Sequence, residues 1–260
     1  MKKGLLRVVV GIALSLCILV CIDTRTTVFA SSDVEAGAYG FTVDSGTYKP
    51  SIWYNTITTN CRSDGKIIGV CTTTIGMTRA KNAVSGGKYL DQVFVKCTMK
   101  GKNPAKNYAG YSEHLTIMSA LPNDTSLVAY SPESVANMKS YNIGASVSSD
   151  KTVGISGSTT VTQKALVVNN YCDTAARLAK ICYDYKNNWL VPSGYNTYGK
   201  YSYNESIQRM HFTIKTSKSR YTLSLHAIPK FEVMDGVGYW TSSKGEYTTI
   251  DQLITFTSAY

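Results

Sequence analysis

The sequence predicts an all-β protein, built as an antiparallel β-sandwich with extended hairpins. From residue 41 onward, short runs that alternate apolar and polar residues are separated by turn signals every 8–15 residues. The composition agrees, because the 260 residues include 27 Ser, 29 Thr and 19 Tyr but only 6 Pro. With 43% hydrophobic and 17% charged residues, the chain can bury a core, and the collagen, coiled-coil and polytopic membrane classes are excluded.

The first thirty residues have the organisation of a secretory signal peptide. A basic start precedes an uncharged apolar run over residues 8–22, and Ala30 supplies the small last residue of a cleavage site. The run of 15 residues is shorter than the roughly 20 that a membrane-spanning helix needs. We therefore expect residues 1–30 to be removed and residues 31–260 to form a single secreted, β-rich domain. A retained membrane anchor is the alternative.

The chain is basic, with 27 Lys and Arg against 17 Asp and Glu and a formal net charge of +10. Loss of four basic residues and one acidic residue with the signal peptide leaves +7. A basic secreted protein favours acidic partners, such as an anionic membrane or an anionic surface glycan. The basic residues are scattered and accompany no recognition-helix or zinc-finger pattern, so no nucleic-acid partner is expected. A solvated basic surface is the plain alternative.

Several strands and turns are predicted in order along the chain. Residues 53–59 and 66–75 flank the two-residue hairpin turn Asp64-Gly65. Further strands are expected over residues 90–99, 114–120, 126–130, 231–234 and 247–256, with a hairpin of residues 211–216 and 220–228 around Ser217-Lys218-Ser219. Ser131-Pro132-Glu133 is expected to begin one helical turn. Residues 173–186 fit a helix or a strand, and we favour a strand because residues 165–168 need a partner.

The five cysteines that follow the signal peptide are expected to be buried free thiols. They are Cys61, Cys71, Cys97, Cys172 and Cys182, and an odd number leaves at least one unpaired. The Asp64-Gly65 turn would pair Cys61 with Ile68 and Cys71 with Thr58, which places the two thiols on opposite faces and argues against a bridge. Without a Cys-x-x-Cys pair or clustered histidines, neither a metal site nor a cofactor is expected.

The sequence carries no motif of an enzyme. Gly154-Ile155-Ser156-Gly157 lacks the spacing of a nucleophile elbow, and neither a phosphate-binding loop nor a His-Glu-x-x-His motif is present. A nucleophilic pair of Cys97 and His114 lacks any residue that would orient it. We therefore expect no catalytic residues.

The strongest functional pattern lies in residues 140–164. Apolar side chains occupy odd positions, and small or hydroxylated ones occupy even positions. A loop at Ser149-Asp150-Lys151 would pair Val147 with Val153, so that the odd residues of both arms share one face. The predicted apolar face consists of Tyr141, Ile143, Ala145, Val147, Val153, Ile155 and Val161.

A hairpin of this kind has one face suited to hydrocarbon and one suited to water. Alone in lipid, its unpaired edges would cost several kcal/mol per backbone group. A ring of copies removes those edges, and each arm of 8–10 residues matches the ~9–11 of a tilted membrane strand. A half-buried hairpin of an ordinary sandwich alternates as well. The lack of charge between Ser140 and Lys164, except at Asp150 and Lys151, favours insertion.

An aromatic loop follows the hairpin in a stretch rich in Gly, Asn and Ser. Its rings belong to Trp189, Tyr195, Tyr198, Tyr201 and Tyr203. Flat amphipathic rings suit stacking on a sugar or insertion at a lipid headgroup interface. The alternative is a packed pair of Tyr-rich strands.

Two segments give the chain a family resemblance. Residues 127–132 (LVAYSP) and 140–144 (SYNIG) resemble the approach to the stem of the leukocidin/alpha-toxin β-barrel pore-forming toxins. The Trp, Pro and Gly of residues 187–199 are similar to the membrane-facing rim of that family. The resemblance implies a secreted soluble monomer that binds a cell, oligomerises and inserts its hairpin. It also implies that Trp189 contacts a lipid headgroup.

We therefore expect a secreted, basic β protein that acts at cell surfaces as an oligomerising pore-forming toxin. The alternative is a non-catalytic extracellular module that binds a glycan or a cell-wall polymer through the aromatic loop.

Overall fold

The computed structural model describes residues 29–30, 46–54, 56–84, 86–102, 108–143, 159–185, 206–237, 240–258 and 260. These residues form fourteen strands, and no helix lies among them, so the all-β prediction is confirmed. The strands are β1 (Phe29–Ala30), β2 (Ile52–Trp53), β3 (Ile57–Ser63), β4 (Lys66–Arg79), β5 (Tyr89–Gly101), β6 (Tyr108–Ala120), β7 (Thr125–Ser131), β8 (Val135–Ile143), β9 (Thr159–Asn170), β10 (Leu178–Tyr185), β11 (Ser206–Thr216), β12 (Thr222–Val237), β13 (Trp240–Thr249) and β14 (Gln252–Thr257).

The described strands form two antiparallel sheets that face each other. The first sheet has the order β1-β2-β4-β5-β11-β7, and β3 also pairs with β4. The second has the order β13-β12-β6-β10-β9-β8, and β14 also pairs with β12. Strands β4 and β5 contact β6 and β12 across the interior, which confirms the sandwich.

The core lies between the inner faces of the two sheets, where one residue in two points inward. On the first sheet, Ile75 of β4 and Val95 of β5 oppose each other and are fully buried. On the second sheet, Ile117 of β6 lies between Ile181 of β10 and Ala227 of β12, and all three are buried. Burial of alternate apolar side chains drives the two sheets together.

Two glycines allow the sheets to approach closely at one end. A Cβ atom on Gly110 would lie 2.0 Å from the carbonyl oxygen of Ile68, and one on Gly69 would lie 2.5 Å from the ring of Phe231. The carbonyl of Ile68 accepts a 2.8 Å hydrogen bond from the amide of Lys102, and the carbonyl of Lys102 accepts one of 2.9 Å from Gly110. These contacts leave no room for a side chain at position 110.

Buried tyrosine hydroxyls connect the two sheets. Tyr183 of β10 donates a 2.6 Å hydrogen bond to the carbonyl oxygen of Arg209 in β11. Tyr221, just before β12, donates one of 2.6 Å to the carboxylate of Asp91 in β5. In both tyrosines the ring fills space in the core, and the hydroxyl forms a hydrogen bond with a polar group of the opposite sheet. These two uses of tyrosine explain part of its high content in the chain.

The hairpin predicted from residues 211–216 and 220–228 is wrong, although both strands exist. β11 belongs to the first sheet and β12 to the second, so residues 217–221 cross between sheets. The reason is that β5 and β7 occupy both edges of β11, which leaves no edge for β12.

The hairpin at Asp64-Gly65 forms, with φ angles of 48° and 73° that suit a primed turn. Its predicted register is wrong by one residue, because the register shifts between Cys61 and Arg62. Cys61 therefore opposes Gly69 and Cys71 opposes Thr59, which places both thiols on the same buried face rather than on opposite faces. Both are free thiols, as are the other three cysteines that follow residue 60.

Residues 173–186 contain a strand, as we favoured, but it begins only at Leu178. Before it, the carboxylate of Asp173 accepts hydrogen bonds from the amides of Ala175 and Ala176 and closes a turn. The helical turn predicted at Ser131-Pro132-Glu133 is wrong. These residues carry the chain from β7 in the first sheet to β8 in the second, with a cis bond between Ser131 and Pro132.

Candidate functional site

Strands β8 and β9 form a ribbon at one end of the second sheet. β8 is the last strand in the order of this sheet, and it pairs with β9 through the pairs Ser140–Thr162, Tyr141–Val161, Asn142–Thr160 and Ile143–Thr159. β10 pairs with β9 only from Leu166 to Asn170. Within the described residues, the upper part of the ribbon is therefore paired only with itself and extends beyond the sheet.

In the ribbon, odd-numbered residues oppose odd-numbered residues, as predicted, but the individual pairs are not the predicted ones. A loop at 149–151 implied that Ile143 would oppose Gly157, whereas it opposes Thr159. At the foot of the ribbon, the pairing also shifts on either side of Met138. A shift of two residues keeps odd positions opposite odd positions, and it pairs Tyr141 with Val161 in place of the predicted Thr159.

The predicted site residues divide into two groups. Tyr141, Ile143 and Val161 lie in the described part of the ribbon, in strands β8 and β9. The rest lie outside the described residues: Ala145, Val147, Val153, Ile155, Trp189, Tyr195, Tyr198, Tyr201 and Tyr203. The aromatic loop and the tip of the hairpin thus remain predictions.

A single side chain clamps the foot of the ribbon. Asn170, the last residue of β9, donates a 2.6 Å hydrogen bond from its amide nitrogen to the carbonyl oxygen of Pro132. Its amide oxygen accepts a 2.8 Å hydrogen bond from the amide of Cys172, and its backbone amide donates one of 2.8 Å to Ser134 Oγ. Sequence reasoning missed this residue, since an Asn at a strand end ordinarily indicates a turn.

A buried histidine lies next to the point where the chain enters the ribbon. His211 of β11 opposes Ser131, the last residue of β7, and its ring stacks on Phe94 at 5.3 Å between centroids. His211 is 1% exposed, and burial lowers its pKa from 6.5 to about 3. Neither ring nitrogen has a hydrogen-bond partner among the residues that the structure describes.

The pair of Cys97 and His114 considered from the sequence does not form. Cys97 is buried in the first sheet beside Thr73, whereas His114 lies on the second sheet. His114 instead lies near Cys182 and Asp184 on the outer face of that sheet. The alternation His114-x-Thr116 and Cys182-x-Asp184 was visible in the sequence, but the pairing of β6 with β10 was not.

Two other kinds of feature are absent from the described part of the chain. It holds no group of three His, Cys, Asp or Glu side chains arranged so that they could hold a metal ion, and none of its segments is a helix long and apolar enough to cross a membrane.

Among solved structures, the fold is similar to that of Clostridium perfringens delta-toxin, with a TM-score of 0.50 and 11% sequence identity over 82% of this chain and 94% of the toxin. A second similar structure is described as a pore forming protein, with a TM-score of 0.48 and 11% identity over 80% of this chain and 91% of that one. A third is the Clostridium perfringens NetB toxin in the membrane inserted form, with a TM-score of 0.40 and 11% identity over 80% and 95%.

No protein-family model and no curated protein sequence matches the chain. At 11% identity, the likeness to delta-toxin concerns the fold alone. At that level, the resemblance to pore-forming toxins that the sequence indicated is confirmed.

Proposed function

We propose that the protein is secreted, binds an anionic membrane, and assembles into a ring of copies that inserts the β8–β9 ribbon as a pore. The observation that carries this proposal is the ribbon itself. It lies at the end of a sheet, and within the described residues it extends beyond β10. In its upper part, Tyr141, Ile143 and Val161 are apolar or aromatic at odd positions, whereas the even positions 140, 142, 160 and 162 carry hydroxyl or amide groups.

The ribbon can satisfy the backbone in lipid only as part of a closed ring. Each copy would contribute two antiparallel strands, and the outer edge of β8 would pair with β9 of a neighbour. Every N–H and C=O group would then have a partner, which an isolated hairpin cannot achieve in hydrocarbon. The odd residues would face the acyl chains and the small even residues a water-filled lumen.

The charge and the aromatic loop supply the attachment step of this proposal. A net charge of +10, or +7 after removal of residues 1–30, attracts the protein to anionic headgroups. Trp189, Tyr195, Tyr198, Tyr201 and Tyr203 would then contact the lipid headgroups or a surface glycan. The fold shared with delta-toxin supports this assignment and gives no support to an enzymatic one.

A pair of neighbouring substitutions tests the proposal. Ile143→Asp places a carboxylate at an odd position, and Asn142→Asp places the same charge at the next even position. A carboxylate in the bilayer is costly, and in a ring the cost is repeated in every subunit. The measurement is dye release from vesicles of phosphatidylcholine with phosphatidylserine.

Insertion predicts that the Ile143→Asp protein binds the vesicles but releases no dye, while the Asn142→Asp protein releases dye like the unmodified chain. Binding without release by the unmodified chain would point instead to a module that only attaches to the surface. Equal release by both variants would contradict insertion of the odd face.

A further inference from the structure

A histidine, a cysteine and a carboxylate meet on the outer face of the second sheet. His114 of β6 opposes Asp184 of β10, and Thr116 opposes Cys182 two residues along. His114 Nδ1 is hydrogen-bonded to Asp184 Oδ1, and His114 Nε2 lies 2.7 Å from Thr116 Oγ1. Thr116 Oγ1 lies 3.3 Å from Cys182 Sγ.

These contacts define a path for the thiol proton. Asp184 accepts a hydrogen bond from Nδ1–H of His114, so Nε2 of the neutral ring is an acceptor. Nε2 accepts from the hydroxyl of Thr116, whose oxygen in turn accepts from the thiol of Cys182. The other oxygen of Asp184 accepts a 2.7 Å hydrogen bond from Asn169 Nδ2 of β9. Asp184 is therefore held on both sides, and it orients the imidazole.

The electrostatics of the cluster favour the thiolate. Burial acts to raise the pKa of Cys182, but hydrogen bonds with His114 and Thr116, together with the charges of His114 and Lys180, lower it overall. The pKa of His114 is raised, chiefly by its hydrogen bond with Cys182, against desolvation and with the help of Asp184. Proton transfer from the thiol to the imidazole is favoured by both shifts.

The other cysteines lack such an environment. Burial raises the pKa of both Cys61 and Cys97 to about 12. Burial also raises the pKa of Cys172 to about 11, although this residue is more exposed than Cys182. Exposure alone would therefore rank Cys172 as the reactive thiol, whereas the electrostatic environment ranks Cys182 first.

We propose that Cys182 is a reactive thiol that undergoes exchange with small-molecule disulfides such as glutathione disulfide. The thiolate sulfur attacks one sulfur of the disulfide, the S–S bond breaks, and a mixed disulfide forms on Cys182. The leaving thiolate takes the proton that His114 received from Cys182, so one thiol is consumed and one is released. This inference does not depend on pore formation.

The geometry fits exchange better than hydrolysis. The backbone of Cys182 lies in a central strand that is paired with β6 on one side and β9 on the other. No neighbouring amide is thus left free to stabilise an oxyanion, which acyl transfer requires and disulfide exchange does not. Cys182 is 6% exposed, but the side chains of His114 and Asp184 are 27% and 41% exposed, so the cluster opens to solvent.

The test uses the folded full chain and glutathione disulfide, with adducts counted by intact mass and located by peptide mapping. Among the five cysteines that follow the predicted signal peptide, we expect an adduct on Cys182, formed at pH 7 at least ten times faster than any adduct on Cys172. Cys182→Ser removes this adduct, and the matched control Cys172→Ser leaves its rate unchanged. Faster modification of Cys172, or no adduct on the folded protein, would overturn the proposal.

A second variant tests the role of the imidazole without removing the thiol. His114→Gln should lower the rate at pH 7 about tenfold, and the difference from the unmodified chain should shrink as the pH rises, because the thiol then ionises without the imidazole. The charged and titratable groups on this face are His114 and Glu113 of β6, Asp184 and Lys180 of β10, and Lys230 and His226 of β12, while β9 contributes the uncharged Asn169. Glu113 is paired with Lys230 at 2.8 Å. An unchanged pH profile in the His114→Gln protein would refute the assigned role of His114.

Discussion

The side-chain amide of Asn170 donates a 2.6 Å hydrogen bond to the carbonyl oxygen of Pro132. Asn170 ends β9, and Pro132 lies between β7 and β8, so this bond joins the two ends of the ribbon at its foot. If the ribbon leaves the sandwich during pore formation, this hydrogen bond either stays and holds the foot of the ribbon in place, or breaks and releases it.

Asn170→Ala should loosen the foot of the ribbon. The variant loses two side-chain hydrogen bonds, which predicts a loss of about 1–3 kcal/mol in the free energy of unfolding. Hydrogen exchange should become faster in β8, while the core of β5 is unchanged. Asn169→Ala is the matched control, because it removes a bond to Asp184 and leaves the clamp in place. Equal exchange in β8 for both variants would show that Asn170 is not a clamp.

His211 should make the protein less stable in acid. Because the folded-state pKa is about 3 and the usual value is 6.5, the unfolded chain binds a proton at a higher pH than the folded chain. The contribution is fully present above pH ~6.5 and is lost as the pH falls, by roughly 2–3 kcal/mol at pH 4.5. Urea unfolding of the unmodified chain and of His211→Phe measures it.

The stability difference between these two proteins should grow in favour of His211→Phe as the pH falls from 7 to 4.5. A difference that is constant over this range would mean that His211 is not kept neutral in the folded protein.

The ion pair of Arg79 and Asp91 should be sensitive to removal of either charge. The two side chains are almost fully buried and form two hydrogen bonds of 2.6 and 2.7 Å. Asp91→Asn leaves the guanidinium without its counter-charge, and we expect a loss of about 3–5 kcal/mol. Tyr221→Phe removes only one hydrogen bond to Asp91 and should cost about 1.5–3 kcal/mol. Chemical denaturation at pH 7 ranks the two variants, and the reverse order would contradict the account.

Gly110→Ala should be severely destabilising, because its Cβ would overlap the carbonyl oxygen of Ile68. Backbone atoms cannot move as a side chain can, so we expect a loss of at least ~3 kcal/mol or failure to fold. Gly86→Ala serves as the comparison. Gly86 has a φ of 79° and open space around it, and the change should cost only about 1–2 kcal/mol. Similar melting temperatures for the two variants would show that the sheets do not meet as closely as described.

The sequence was a good guide where structure depends on neighbouring residues. Alternation predicted the strand over residues 90–99, and the Asp-Gly pair predicted the turn at 64–65, because both are local patterns. It was a poor guide where structure depends on distant pairing. The crossing between β11 and β12 follows from the strands on either side of β11, and the contact of His114 with Asp184 follows from the pairing of β6 with β10.

Register lies between these two cases. That odd residues of the ribbon oppose odd residues could be predicted from the apolar odd positions, whereas the pairing that forms differs from the predicted one by two residues and is irregular near Met138. Likewise, one shift next to Cys61 places that thiol on the same face as Cys71. An alternating pattern predicts which face of the sheet a residue occupies, but it does not predict which residue it opposes. A bulge changes both the face and the opposing residue for the residues that follow it.

Labelling the ribbon with an environment-sensitive fluorophore tests most directly whether its odd face enters lipid. Single cysteines at positions 141, 142, 143, 160 and 161 would be labelled in a chain with Cys172→Ser and Cys182→Ser and mixed with vesicles that carry a lipid-bound quencher. The account predicts blue-shifted, quenched emission at positions 141, 143 and 161 and a water-like signal at 142 and 160. Emission that does not alternate, on vesicles to which the protein is bound, would contradict it.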